Sequence, residues 1–99
     1  MSRYSTVDVV SVEISPTVTT LMKEDAHRVA VLITPPATPG VLLTISTDAG
    51  LTSGSGLHIF GGGAPMLLTR EMFGSVVTQR WYATAAAADT VGLLLTQER

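Results

Sequence analysis

His27 and His58 are the first residues to weigh, because two imidazoles with a carboxylate could hold a metal ion. Their spacing fits no ligand motif, and each sits at or within a run that reads as a strand. Gly54-Ser55-Gly56 suggests a nucleophile. A nucleophile elbow, however, needs glycines two positions either side of the serine, a strand before it and a helix after it. Position 53 is serine, position 57 is leucine, and no helical pattern follows. The glycine triplet 61–63 precedes no helix either, so it does not read as a phosphate cradle. These residue types predict no catalytic, cofactor-binding or metal-binding residue, and the expected chain is not an enzyme.

The remaining side chains of interest are rings and cations. Tyr4, Phe60, Phe73, Trp81 and Tyr82 are all the large aromatics present. Such rings dominate both cores and interfaces, and with so few some must serve the core. Trp81 and Phe60 are expected as core or subunit-seam anchors. A sugar platform needs several exposed rings beside carboxylates or amides, and that grouping is not visible here. Arg70 and Glu71, with Arg80, suggest an ion pair or a partner contact, whose use would be to set orientation against a neighbouring chain.

The elements that position these residues read as strands. His27 to Thr34 and Val41 to Ser46 are apolar runs flanking a loop with three prolines, Pro35, Pro36 and Pro39. Val29 to Ile33 has no polar member, which predicts a strand covered on both faces. Val41, Leu43 and Ile45 share one face of the next. Proline presets φ and cannot donate to a ladder, so the intervening loop is expected to be stiff and outside the sheet. Further strands are expected over residues 7–14, 17–22, 57–60, 66–69, 76–84 and 91–96. Lys23 to Ala26 reads as a charged turn, and 48–56 has the most flexible composition. At 61–63 the backbone needs freedom from Cβ. Arg70 to Gly74 allows one helical or 3₁₀ turn stopped by Gly74, and 85–89 reads as a small-residue turn. Short connections and no long helix predict an all-β chain. It should be a single-domain β-sandwich or closed barrel, jelly-roll-like or immunoglobulin-like, of about seven or eight short antiparallel strands. The one domain covers residues 1–99, with a short N-terminal arm over 1–6.

Composition narrows the function class. Of 99 residues 45% are hydrophobic and 14% charged, with a net charge of −2. A domain this small cannot bury all of that apolar surface, so part of it should be covered by other chains. The six Lys and Arg are scattered, which argues against nucleic acid as a partner. The apolar runs are too short for a membrane span. There is no cysteine, which excludes disulfides and thiolate metal sites within the chain. Met1-Ser-Arg-Tyr-Ser5 does not lead into a signal-peptide core, so synthesis in a cytoplasm is expected.

Several segments together resemble a known group. They are His27-Arg-Val-Ala-Val-Leu-Ile-Thr34, Val41-Leu-Leu-Thr-Ile-Ser46 and Ser53-Gly-Ser-Gly-Leu-His-Ile59. Leu67-Leu-Thr-Arg-Glu71, Gly74-Ser-Val-Val-Thr-Gln-Arg-Trp-Tyr-Ala83 and Val91-Gly-Leu-Leu-Leu95 follow. Over residues 26–96 the chain resembles small β-rich virion proteins of tailed bacteriophages, of the capsid decoration (cement) or head-fibre-anchoring type. Where that group has an Asn-Pro-Arg-like lead-in, this chain has Asp25-Ala-His-Arg28, which keeps the arginine. The proline-rich loop is also longer than in the group.

The resemblance implies a non-enzymatic structural protein made in the bacterial host cytoplasm and carried on the virion. Its partners would be itself, as a homotrimer, and the major capsid protein. A contact of this kind should bury upwards of ~1,000 Å² in total. Tyr4, Leu51, Phe60, Arg70, Phe73, Arg80, Trp81 and Tyr82 are the interface candidates, with the 1–6 arm and the 48–56 loop as shell contacts. The rival readings are a neck, tail or fibre-anchoring component, a carbohydrate-binding β-sandwich module, and a small β-barrel enzyme. The last ranks lowest for want of a convergent polar cluster.

Overall fold

Alternation of side chains across a strand lets a sheet bury one face, and two such faces must find each other. The computed structural model describes residues 5–52 and 54–98, with side chains from Val7 onward. Its described residues form eight strands: β1 (Ser5–Ile14), β2 (Thr19–Met22), β3 (Arg28–Ile33), β4 (Leu42–Ser46), β5 (Leu57–Phe60), β6 (Met66–Thr69), β7 (Trp81–Ala85) and β8 (Asp89–Glu98). One sheet has the order β1-β8-β3-β6 and the other β2-β7-β4-β5, with every neighbouring pair antiparallel. Every connection except that from β4 to β5 crosses between the sheets. Strand pairs 1·8, 2·7, 3·6 and 4·5 are those of a long hairpin rolled on itself, the jelly-roll arrangement of two Greek keys. The chain is thus an all-β sandwich; the closed-barrel and immunoglobulin alternatives do not fit this order.

The core lies between the sheets. Val31 and Ile33 of β3 and Leu43 and Ile45 of β4 are fully buried, joined by Ile14, Val91, Ala83 and Val77. The period-two reading of residues 41–45 therefore holds, with Leu43 and Ile45 inward and Val41 packed against the same core. The proline loop lies outside both sheets, as its composition requires. It is tied to the start of β8, since Asp89 Oδ2 accepts from the Thr38 amide at 2.8 Å. Ten-residue β1 and β8 run beside one another without a register shift, Ser5 opposite Glu98 and Ile14 opposite Asp89. At ~3.3 Å per residue this pair accounts for most of the 44 Å long axis.

Five expectations need correction. Residues 5 and 6 belong to β1 and not to an arm. The strand expected over 17–22 starts at Thr19, and the one over 91–96 is longer, 89–98. The strand expected over 76–84 is two things: a 3₁₀ segment, Gly74–Thr78, and then β7. The β-branched Val76 and Val77 give the strand signal, but their carbonyls are claimed by side chains. Trp81 Nε1 donates to Val76 O at 3.1 Å and Arg28 Nη1 to Val77 O at 2.9 Å. Val76 O also accepts from the Gln79 amide at 3.2 Å, so the segment bonds within its own turn and to Arg28, not to a neighbouring strand. Finally, β3 is fully covered on its inner face alone, while its outward Leu32 is only half-buried.

The Gly61 position shows why the triplet must be glycine. A Cβ there would lie 2.0 Å from the Thr38 carbonyl oxygen, and Gly62 has φ +80°. Arg70–Phe73 forms the single helical turn, α1, capped by Thr69 Oγ1, which accepts from the Met72 amide at 3.1 Å. Gly74 ends it at φ 70°. Gly61→Ala should destabilise the fold by at least ~1 kcal/mol. Ile45→Ala should cost ~2–5 kcal/mol through cavity formation. Urea unfolding midpoints measure both, and wild-type-like midpoints would contradict the packing described.

Candidate interaction surface

Arg28 opens β3 and is only 2% exposed. Its Nη1 donates to Val77 O at 2.9 Å and to Gln79 O at 3.1 Å, and its Nη2 donates to Lys23 O. The planar fork thereby joins β3, the turn after β2, and the 3₁₀ segment. Burial lowers its pKa from the ordinary arginine value, and the Asp25 carboxylate opposes that shift. Arg28 is the arginine that the lead-in to the resemblance retains. Beside it, a groove of about 440 Å³ opens between the β1 and β2 edges, walled by Val10, Met22, Leu93 and Leu95.

The outer face of the β1-β8-β3-β6 sheet carries a different feature. Register places Val9 opposite Leu94, Leu94 opposite Leu32, and Leu32 opposite Leu67. These four residues form one apolar row across the full width of the sheet. Val9 is 78% exposed, Leu67 55% and Leu94 37%, with Leu32 half-buried between them. No described element covers the row. Its sequence signal was present in apolar neighbours with no alternation: Val9-Val10, Val31-Leu32, Leu67-Leu68 and Leu93-Leu94. In the last three pairs one side chain is buried in the core and the other faces out, while in the first Val10 walls the groove and Val9 faces out.

The outer face of the other sheet is partly roofed by the 47–56 segment. Leu51 is buried above Thr44, and a Cβ at Gly56 would meet Leu51 Cδ1 and Thr44 Cγ2 at 3.1 Å. Asp48 pins the turn by accepting from the Gly50 amide at 2.8 Å. Despite its composition, the described part of this loop is thus anchored on the sheet.

Among the sequence-derived interface candidates, Trp81 is buried in the core and Leu51 is buried on the outer face of its own sheet. Phe60 on β5 is 58% exposed, and Phe73 on α1 is also exposed beside exposed Met72. Tyr82 is half-buried on the outer face of β7. Tyr4 lies outside the described residues, as does most of the 1–6 arm. Arg70 does not join Arg80: it pairs with Glu98 at 3.3 Å, while Arg80 pairs with Glu24 at 2.9 Å. That second pair holds the Glu24 carboxyl below its ordinary range through the Arg80 hydrogen bond and raises Arg80 by the same contact. Among the described residues no three His, Asp or Glu side chains gather as a metal site.

No protein-family model matches the chain, and no curated protein matches it. Among solved structures it is similar to a protein of the disulfide-linked pili that form Bacillus endospore appendages. The TM-score is 0.56 at 11% identity, covering 99% of this chain and 91% of that one. At that identity the likeness shows the fold alone, a sandwich of the same build over almost the whole length.

Two outcomes follow from these contacts. Arg28→Met should lower stability by ~2–4 kcal/mol, because three buried or half-buried carbonyls lose a charged donor. Arg28→Lys should restore less than half of the loss, since one ammonium cannot reproduce the fork. Equilibrium unfolding reads both, and a neutral Arg28→Met would remove the clamp from the account. The Asp89 carboxyl is held below its ordinary value by the Thr38 and Thr90 amides that donate to it. Its folded-state pKa is depressed, so its contribution is complete above the unfolded value of ~3.9 and is lost as pH falls through the folded one. Acid titration of the unfolding midpoint should therefore show a limb below pH ~4 that Asp89→Ala flattens.

Proposed function

We propose that this protein is a structural subunit that completes its own burial against copies of itself and a larger assembly. The bacteriophage resemblance makes that assembly a virion, with the chain a non-enzymatic capsid decoration protein, homotrimeric, on the outer shell. The single observation that carries the reading is the bare apolar row Val9–Leu94–Leu32–Leu67. A solvated sandwich face ordinarily alternates to polar residues outward. This one instead continues apolar across four strands, which suits a surface that other protein covers.

A second reading, a fibre or filament subunit, draws support from the fold likeness to a pilus protein. A disulfide link is not part of it, because this chain has no cysteine. The carbohydrate-binding reading loses the ring on which it would rest. Trp81 is buried, with its Nε1 on Val76 O.

Co-sedimentation with purified expanded capsids and with procapsids tests the first reading. The wild-type chain should bind expanded shells, and Leu32→Glu with Leu67→Glu should weaken binding at least tenfold at unchanged secondary structure. Sedimentation of the free protein should give the trimer mass. A chain that stays monomeric and binds neither shell would sink the decoration role. Filaments seen by electron microscopy, with no shell binding, would favour the second reading.

A further inference from the structure

The outer edge of β1 has properties that edge strands normally avoid. Among the described residues no strand pairs with it, and it is ten residues long. Its register with β8 has no bulge to twist it away. It contains no proline and no lysine, and Val7 and Val9 project from it exposed. Short length, bulges, proline and charge are the usual guards against strand addition, and of these β1 carries only the charges of Asp8 and Glu13. By contrast, β6 at the opposite edge is four residues long and lies between Pro65 and a helical turn.

We infer that β1 pairs antiparallel with β1 of a second copy across a two-fold axis centred on Val9. The inference rests on the self-association reading above and specifies one contact within it. Continuity of the apolar row and the length of the pairing select a second copy as the occupant, and parity and charge select the register. A two-fold perpendicular to the sheet keeps both outer faces on one side, so residue numbers facing each other must sum to an even value. Centred on Asp8, the pairing would set Asp8 directly against its own copy, a like-charge contact. Centred on Val10, it would set Val9 against Ser11 and break the apolar row. Centred on Val9, Val9 meets Val9, Val7 meets Ser11, and Asp8 meets Val10, with the two Asp8 side chains no nearer than a diagonal. The row then continues unbroken from Leu67 of one copy to Leu67 of the other. The pairing engages residues 5–13 of each chain, whereas a head-to-tail pairing onto β6 would engage four at most. A single-strand contact falls in the smaller interface class, below ~1,200 Å² in total, so the pair should form reversibly and depend on concentration. It adds to a trimer and does not replace it, because three-fold and two-fold contacts coexist in a symmetric assembly.

The absence of cysteine allows a direct test on the full chain. Directly opposite Cα atoms in an antiparallel pair lie ~4.5–5.5 Å apart, within the ~4.4–6.8 Å that a disulfide spans. Under mild oxidation Val9→Cys should give a disulfide dimer at least tenfold faster than Val7→Cys, Val10→Cys or Ser11→Cys, read on non-reducing gels. Val9→Lys should abolish the concentration-dependent species above trimer mass in sedimentation while leaving the thermal midpoint within a few degrees. Fastest crosslinking at Val10, or equal rates at all four positions, overturns the register. Self-association without preferential crosslinking at Val9 overturns the edge pairing while leaving the structural-subunit reading intact. A monomer at every concentration overturns both.

Discussion

One buried cation organises the end of the sandwich where the two sheets meet the 3₁₀ segment. Arg28 is the only charged residue buried among those described; both its Nη atoms donate to backbone carbonyls, its Nε is left without a partner, and the Asp25 carboxylate adds a coulombic attraction. A buried charge is tolerable when its hydrogen bonds are made, and a guanidinium can make several in one plane. By taking Val77 O and Gln79 O it holds the 3₁₀ segment as a turn. That in turn seats Val77 in the core and delivers the chain to β7 with Trp81 pointing inward. The core of a thin sandwich has few residues to spare, so the placement of these two matters to everything packed on them.

The two outer faces are treated differently. Over the β2-β7-β4-β5 sheet, the chain supplies its own cover by folding Leu51 down onto Thr44. Among the described residues the β1-β8-β3-β6 sheet receives no such cover, although its outer row is apolar across all four strands. The contrast is physical and local: the ten-residue connection before β5 folds onto its sheet, whereas the connection from β6 to β7 turns inward and places Val77 in the core. Low charge in the composition and an open row in the fold are two views of one fact. Apolar surface on this chain exceeds what its own connections can roof.

Much of the architecture was legible because it rests on short-range rules. The 57–60 and 66–69 strands, the Gly74 stop and the glycine turn at 61–63 follow from alternation and from backbone freedom. The 76–84 stretch was not legible, because its β-branched residues fit a strand, while the contacts that make its first half a turn come from Arg28 and Asp25, some fifty positions earlier in the chain. The ion pairs were legible as residue types but not as partners. Arg70 finds Glu98 and Arg80 finds Glu24 across 28 and 56 positions of chain. Leu51 looked like a loop-tip contact because composition does not report which way a loop folds.

The amino-acid order alone determined that this chain is all-β, that without cysteine it can form no thiolate metal site, and that its apolar content is high for its size. Those properties depend on residue type and spacing of two to five positions. Which apolar face would be sealed and which left open was decided only in three dimensions. Val9, Leu94, Leu32 and Leu67 are separated by tens of residues, and inter-strand register alone aligns them into one surface.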